Sequence, residues 1–302
     1  MKPRSSIVFL FLSSLAFIQC GKEKTAFAVL PVFVSIAPQK YIVDKIGGPL
    51  VAVSVMVGPG ASPHSYEPRP SQMTALSNAR AYFSIGLEFE SAWLPKFSNL
   101  HRGMVIVPMD SGVAKRPIDF FKEKPAKGMD GSWRHAQHSG LDPHIWLSPQ
   151  LVRKQAKTVC DALCKLDPVH DSAYRANDDA FASEITTVQK SIRAILYSDD
   201  PSKKRKSFMV FHPSWAYFAG EFGLRQLAIE IEGREPSAKQ LQMIIDTARY
   251  NGIRTIFVQP QFSQRSAQII ARQLNIRVAI ANDLAYDWGD NLIAFAKALA
   301  LQ

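Results

Sequence analysis

The chain predicts an α/β fold of two α/β lobes, each built on a central, mostly parallel sheet, joined by a long backbone helix. Three observations predict it: short apolar runs alternate with helical patterns over residues 26–108, the alternation returns over 207–301, and between them runs the longest helical periodicity in the chain. Strands that alternate with helices pair in parallel through crossover connections. At 302 residues, 47% hydrophobic and 21% charged, the chain is long enough for two domains of ordinary size.

Taken in order, AFAVLPVFVSI (26–36) reads as a buried strand and residues 38–46 as a helix closed by Gly47 and Gly48. A second strand over 51–57 leads into the turn-rich loop GPGASPH (58–64), followed by a helix over 71–79, a strand over 81–85, a helix over 89–97 and a strand over 104–108. Residues 111–141 lack periodicity and hold six glycines and prolines together with His135 and His138, which makes this a functional or mobile loop. After Pro149 the helical pattern runs to residue 197, with Asp167-Pro168 marking a turn or kink. Strands over 207–211, 226–231, 255–258 and 277–281 then alternate with helices over 215–222, 237–250, 266–274 and 291–301. The expected division is a signal segment over 1–20, an N-terminal lobe over 27–148, a connecting helix over 149–197 and a C-terminal lobe over 198–302.

The first twenty residues stand apart. Lys2 and Arg4 precede an apolar run over 7–18 that is too short for the roughly 20 residues of a membrane span but fits a secretory signal. Cys20, followed by GKEKT, resembles a bacterial lipoprotein cleavage site, although Phe17, Ile18 and Gln19 depart from its usual residues; a plain cleaved signal is the other reading. Removing residues 1–19 takes away two lysine or arginine charges and no acid, so the formal charge falls from +10 to +8. The dense basic run KKRK (203–206) has no interleaved aromatics, so nucleic-acid binding is not expected. Cys160 and Cys164 share one helical face, where they read as two small buried hydrophobes, since an i, i+4 helix turn supplies poor disulfide geometry.

Three histidines share one description. His64 lies in a loop after a strand, His212 directly follows a strand, and His144 sits in DPHIWLSP (142–149), where Pro143 and Pro149 stiffen the backbone. Ligands collect at the carboxyl ends of parallel strands. A stiff mount suits a metal ligand and equally an ordinary core histidine, so the residues alone leave both readings open. Three imidazoles suit zinc and leave one tetrahedral position for a carboxylate or water.

GPGASPHSYEPRPSQ (58–72), DPHIWLSP (142–149), FHPSWAYFAGEFGL (211–224), EGREPSAKQL (232–241) and FVQPQFS (257–263) together resemble the zinc- and manganese-binding substrate-binding proteins of bacterial ABC importers, the cluster A-I family. The resemblance runs from about residue 27 to the C-terminus. It implies a metal held between the lobes by His64, His144 and His212, and delivery to a membrane permease by a monomeric, extracytoplasmic protein, periplasmic or anchored through Cys20. His212 stands where manganese-type relatives carry a carboxylate, and a nitrogen-rich shell favours Zn2+, with Mn2+ or iron the alternative. A His-bearing loop before DPHIWLSP is typical of zinc-type members, but only His135 and His138 stand there.

Two departures leave the fourth ligand open. Gln259 replaces the glutamate of the usual Glu-Pro-Gln segment, and VAIANDLAYDW (278–288) puts Asn282 where an Asp-Pro-Leu aspartate usually stands. Asp283, Asn282 or water can fill the position, and Asp283 can instead act as a helix cap. A secreted zinc hydrolase is the competing class, with Glu67 and Glu232 as candidate bases, but the chain contains neither HExxH nor GxSxG.

Overall fold

The computed structural model describes residues 29–118, 140–197, 207–231 and 234–301. Cys20, His135, His138, Glu232 and the basic run at 203–206 lie outside them.

Two four-stranded sheets, all of whose pairings are parallel, form the two lobes. In the first, β1 (Leu30–Val34), β2 (Val51–Val55), β3 (Ala81–Ser84) and β4 (Val105–Pro108) lie in the order β2-β1-β3-β4. In the second, β5 (Ser207–Val210), β6 (Arg225–Ala228), β7 (Thr255–Val258) and β8 (Arg277–Ile280) repeat it as β6-β5-β7-β8. In each sheet the chain starts at an inner strand, steps out to one edge and returns past its starting point. The connections diverge there, leaving a crevice at the carboxyl ends of β1 and β3 and of β5 and β7, where ligands of such sheets bind.

The connections are α1 (Ala37–Gly47), α2 (Pro70–Leu76) and α3 (Glu88–Leu100) in the first lobe. The second has α6 (Ala216–Glu221), α7 (Ala238–Tyr250), α8 (Arg265–Leu274) and α9 (Trp288–Ala300). Local chemistry sets several of their starts. Ser148 caps α4 (Pro149–Leu166), its Oγ accepting from Leu151 N at 3.2 Å with Pro149 in the first helical position. Ser237 and Gln240 bond reciprocally at the start of α7.

The connecting helix expected over 149–197, with a turn or kink at Asp167-Pro168, is two helices separated at that point. α4 (Pro149–Leu166) stops where Pro168 cannot continue it, a short 3₁₀ turn covers Pro168–His170, and α5 (Asp171–Leu196) packs back along α4. The bidentate bond of Arg153 to Asp178, at 2.6 and 2.9 Å, ties the pair together. α4 rests on α1, whereas α5 lies against both α1 and α9 and is the element that spans the lobes.

One continuous hydrophobic core follows from this packing. It runs from Val32, Val34, Tyr82 and Phe83 through Val159, Phe181 and Val188 into Phe208, Phe218, Phe257, Trp288 and Phe295. Side chains alternate along a strand, so Phe208 and Val210 face this core, while Met209 and Phe211 face a separate cluster under α7 and α8. Cys160 and Cys164 are buried and free, with Sγ atoms 4.0 Å apart, as their spacing predicts. Among the described residues no helix is long and apolar enough to cross a membrane.

Candidate metal centre

β5 ends at Val210, and His212 turns into the crevice two residues later. Gln259, fully buried just past β7, fixes that turn: its Oε1 accepts from His212 N at 3.1 Å, and its Nε2 donates to the His212 carbonyl at 2.7 Å and to Ser214 Oγ at 3.0 Å. The glutamine that departs from the family pattern therefore needs its amide, because a carboxylate could not donate to that carbonyl. The His212 ring stacks on Phe262, with centroids 4.6 Å apart and planes 19° from parallel.

His144 sits before a 3₁₀ turn over Ile145–Leu147, its ring 5.1 Å from that of Trp146. Its segment fastens to the second lobe: Tyr217 Oη donates to the Asp142 carbonyl at 3.0 Å, Trp146 Nε1 to the Asp283 carbonyl at 2.6 Å, and Trp288 Nε1 to the Trp146 carbonyl at 2.7 Å. His64 arrives from the loop after β2, where its N–H meets Ser62 Oγ at 3.3 Å.

The three rings meet at their Nε2 atoms. His64 Nε2 lies 3.0 Å from His212 Nε2, which lies 3.3 Å from His144 Nε2, and one nitrogen from each ring falls within 4.8 Å of the others. Tetrahedral zinc with nitrogens at about 2.0–2.1 Å would hold them about 3.3–3.4 Å apart. This is the one group of three or more metal-type side chains found among the described residues.

The outward nitrogens explain the convergence. Asp142 Oδ1 accepts from His144 Nδ1 at 2.7 Å, and Glu230, at the end of the β6 run, accepts from His212 Nδ1. A carboxylate can only accept, so each Nδ1 carries the proton and each Nε2 presents a lone pair to the centre. His144 and His212 are 1% and 3% exposed, and burial pushes the His212 pKa below its ordinary value, with the neighbouring rings acting the same way against the opposing pull of Glu230. The Nε2 lone pairs of His144 and His212 thus face a point that His64 Nε2 also reaches, a donor set suited to a cation. At the mouth, Glu88 Oε1 lies 3.7 Å from His64 Nδ1, and the proximity of His64 holds the Glu88 carboxyl below the usual range against the opposing effect of burial.

Asp283 does not join this cluster. It is buried beside Trp146, but its Oδ1 accepts from Gln261 Nε2 at 2.7 Å. Nor does Asp283 cap a helix: residues 283–284 form a turn in which Asn282 Oδ1 accepts from Leu284 N at 3.0 Å, and α9 starts only at Trp288. Sequence reasoning missed Glu230 and Glu88 as partners of the histidines. An acid closing the apolar run QLAIEI was the available signal for Glu230; nothing in the chain marks Glu88.

Comparison with known proteins bears on family and fold. The family described as ZnuA, zinc-uptake complex component A periplasmic, matches residues 32–298. A crystal structure of ZnuA superposes with a TM-score of 0.81 at 39% identity, covering 91% of this chain and 99% of that one. A zinc-bound ZnuA deletion mutant gives 0.78 at 41% identity, covering 90% and 97%. The zinc-binding lipoprotein AdcA of Streptococcus pneumoniae is 24% identical over 92% of this chain, which spans 55% of AdcA's own length. With the match reaching from the first strand to the last helix, the chain belongs to the family of periplasmic zinc-uptake components.

Proposed function

We propose that this protein captures zinc outside the cytoplasm and delivers it to the membrane permease of an ABC importer. The observation that carries the reading is the convergence of His64, His144 and His212 through Nε2, with two of the three held in that tautomer by buried acids. Zinc is the cargo and those three residues its ligands. The fourth position belongs to water or to Asp283, which must first give up Gln261. An all-imidazole triad supports zinc over manganese or iron, which prefer oxygen-richer shells.

The protein acts as a binding component, not as a hydrolase. Asp142 and Glu230 are engaged with ring nitrogens and so are not free to activate water, and Glu67 is exposed. As an extracytoplasmic monomer it stays near its permease through acylation of Cys20, and mass spectrometry of the mature N-terminus tests that anchor.

Titration of metal-free protein with zinc, in competition with a chelator of known affinity, tests the main reading. One zinc per chain with a nanomolar or lower Kd is expected, along with preference over manganese at equal concentration. Zinc binding no tighter than micromolar would overturn it.

A further inference from the structure

Two of the three imidazoles are oriented by an acid on Nδ1, and the third has an acid at the corresponding place. Glu88 is the first residue of α3, and its Oε1 lies 3.7 Å from His64 Nδ1 on the side of the ring away from His212. The two differ sharply in burial: the His64 side chain is 19% exposed and that of Glu88 63%.

The backbone beneath Glu88 is fixed by several independent bonds. Gly86 turns the chain out of β3 at φ +81°, a conformation that a Cβ disfavours, and a Cβ there would lie 2.2 Å from Lys115 Nζ. The buried Glu90 carboxylate accepts from the N–H groups of Ile85, Gly86 and Leu87 at 2.6–3.1 Å, and Lys115 Nζ donates to the Ile85 carbonyl at 2.8 Å. The next residue, Phe89, meets Tyr66 edge to face with centroids 5.6 Å apart, so the start of α3 and the His64 loop are packed together. A carboxylate on a rigid mount, beside the outward nitrogen of a ligand ring, is placed to fix that ring. An acidic residue in the first turn of a helix is also favoured by the helix dipole, which keeps it ionised for the task.

We propose that Glu88 is the positioning carboxylate of His64, completing a set in which an acid orients each of the three imidazoles through Nδ1. The inference rests on the reading of His64 as a zinc ligand. Once a cation draws on Nε2, Nδ1–H becomes a stronger donor, and the solvent-facing Glu88 side chain closes the remaining gap. Because this acid sits in water, its grip is weaker than those of Asp142 and Glu230, which makes His64 the ligand most readily given up.

The test measures zinc Kd and dissociation rate in the wild type and in Glu88→Ala, Glu88→Gln, His64→Ala, His144→Ala and the double variant His64→Ala/Glu88→Ala. Tight wild-type binding that His144→Ala abolishes establishes the underlying site independently of Glu88. On that base, Glu88→Ala is expected to weaken binding about 10-fold to 100-fold, the usual effect of removing a partner that orients a metal-bound histidine, and to speed zinc release. Glu88→Gln should restore part of the loss by accepting through its amide oxygen. The metal-free melting temperature should stay at the wild-type value, since the side chain is largely in solvent. In the His64→Ala background, loss of Glu88 should cost nothing further, because the two act as one unit. An unchanged Kd in Glu88→Ala, or full additivity in the double variant, would overturn the proposal.

Discussion

The segment carrying His144 and the loop carrying His64 bring imidazoles to the same point, yet they are held in opposite ways. Asp142–Pro149 lies between β4 and α4, and by position in the chain it belongs to the first lobe. By bonding it belongs to the second: Tyr217, Asp283 and Trp288 bind its backbone or side chains, and Ser148 Oγ bonds to Glu221 of α6. The ties of the His64 loop across the crevice, among the bonds described, are those of the His64 ring itself, to His212, His144 and Phe262. The loop is held within its own lobe by Tyr66, whose Oη donates to Gln72 Oε1 at 2.7 Å and whose ring meets Phe89. Location in the sequence and attachment in the fold are therefore different things, and attachment decides which ligands stay together. His144 and His212 form a preset pair on one body, and His64 completes the site from the other.

The sharpest way to break this comparison is to remove the ligands one at a time. Structural zinc binding of about 10–16 kcal/mol, shared over four ligands, is about 2.5–4 kcal/mol each, or roughly a hundredfold to several hundredfold in Kd. His144→Ala and His212→Ala should exceed that, because each also leaves a buried acid without its partner, and competition titration should show near-complete loss of tight binding. His64→Ala should fall nearer the hundredfold figure and leave residual binding by the pair. Equal losses at all three positions would end the distinction.

A second, smaller effect isolates the preset pair. Glu230→Gln keeps the shape but can offer His212 Nδ1 an amide donor in place of an obligate acceptor, so the ring is no longer held in one tautomer. Zinc affinity should drop about 10-fold to 100-fold with the fold intact by circular dichroism. The pH dependence of the metal-free protein sharpens the same point. His212 has a folded-state pKa below its ordinary value, so below that ordinary value the unfolded chain binds more protons than the folded one. Stability thus rises with pH in this window and is lost as pH falls from about 6.5. Glu88, also lowered, acts in the same direction at more acidic pH, with its share reduced by solvent exposure. Thermal melts from pH 7 to pH 5 should show the decline, and His212→Gln should flatten its upper part.

The smallest expected change tests the fastening itself. Tyr217→Phe removes the bond to the Asp142 carbonyl and that to Arg116 N, at 3.0 and 3.1 Å. Each such bond is worth about 1 kcal/mol, so denaturant melts should show a loss of about 1–2 kcal/mol with only a few-fold change in zinc Kd.

Much of this was legible in the sequence, for identifiable reasons. Strand and helix periodicities mark each of the eight strands of the described residues, and the positions of His64 and His212 after strands put them on the ligand edge. The proline bracket around His144 predicted its rigidity but not its allegiance, which depends on Tyr217 and Trp288, far along the chain. The break at Asp167-Pro168 was visible, but whether the helix kinks or reverses is decided by packing of α5 on α4 and α1. Asp283 illustrates the limit at a single residue. Side-chain rotation and the offer of an amide from Gln261 determine where its carboxylate points, and neither leaves a trace in spacing.

The core that continues through α5 and α9 bears on how the molecule comes apart. Two lobes sharing one interior should melt in a single cooperative transition, and zinc, which binds only the folded form, should raise the midpoint of the whole by mass action. The cluster under α7 and α8 is outside that interior. Those two helices have their own small stock of apolar contacts and are the place for sub-global opening. Amide exchange there should run ahead of exchange in α5, and saturation with metal should slow α5 more than it slows them.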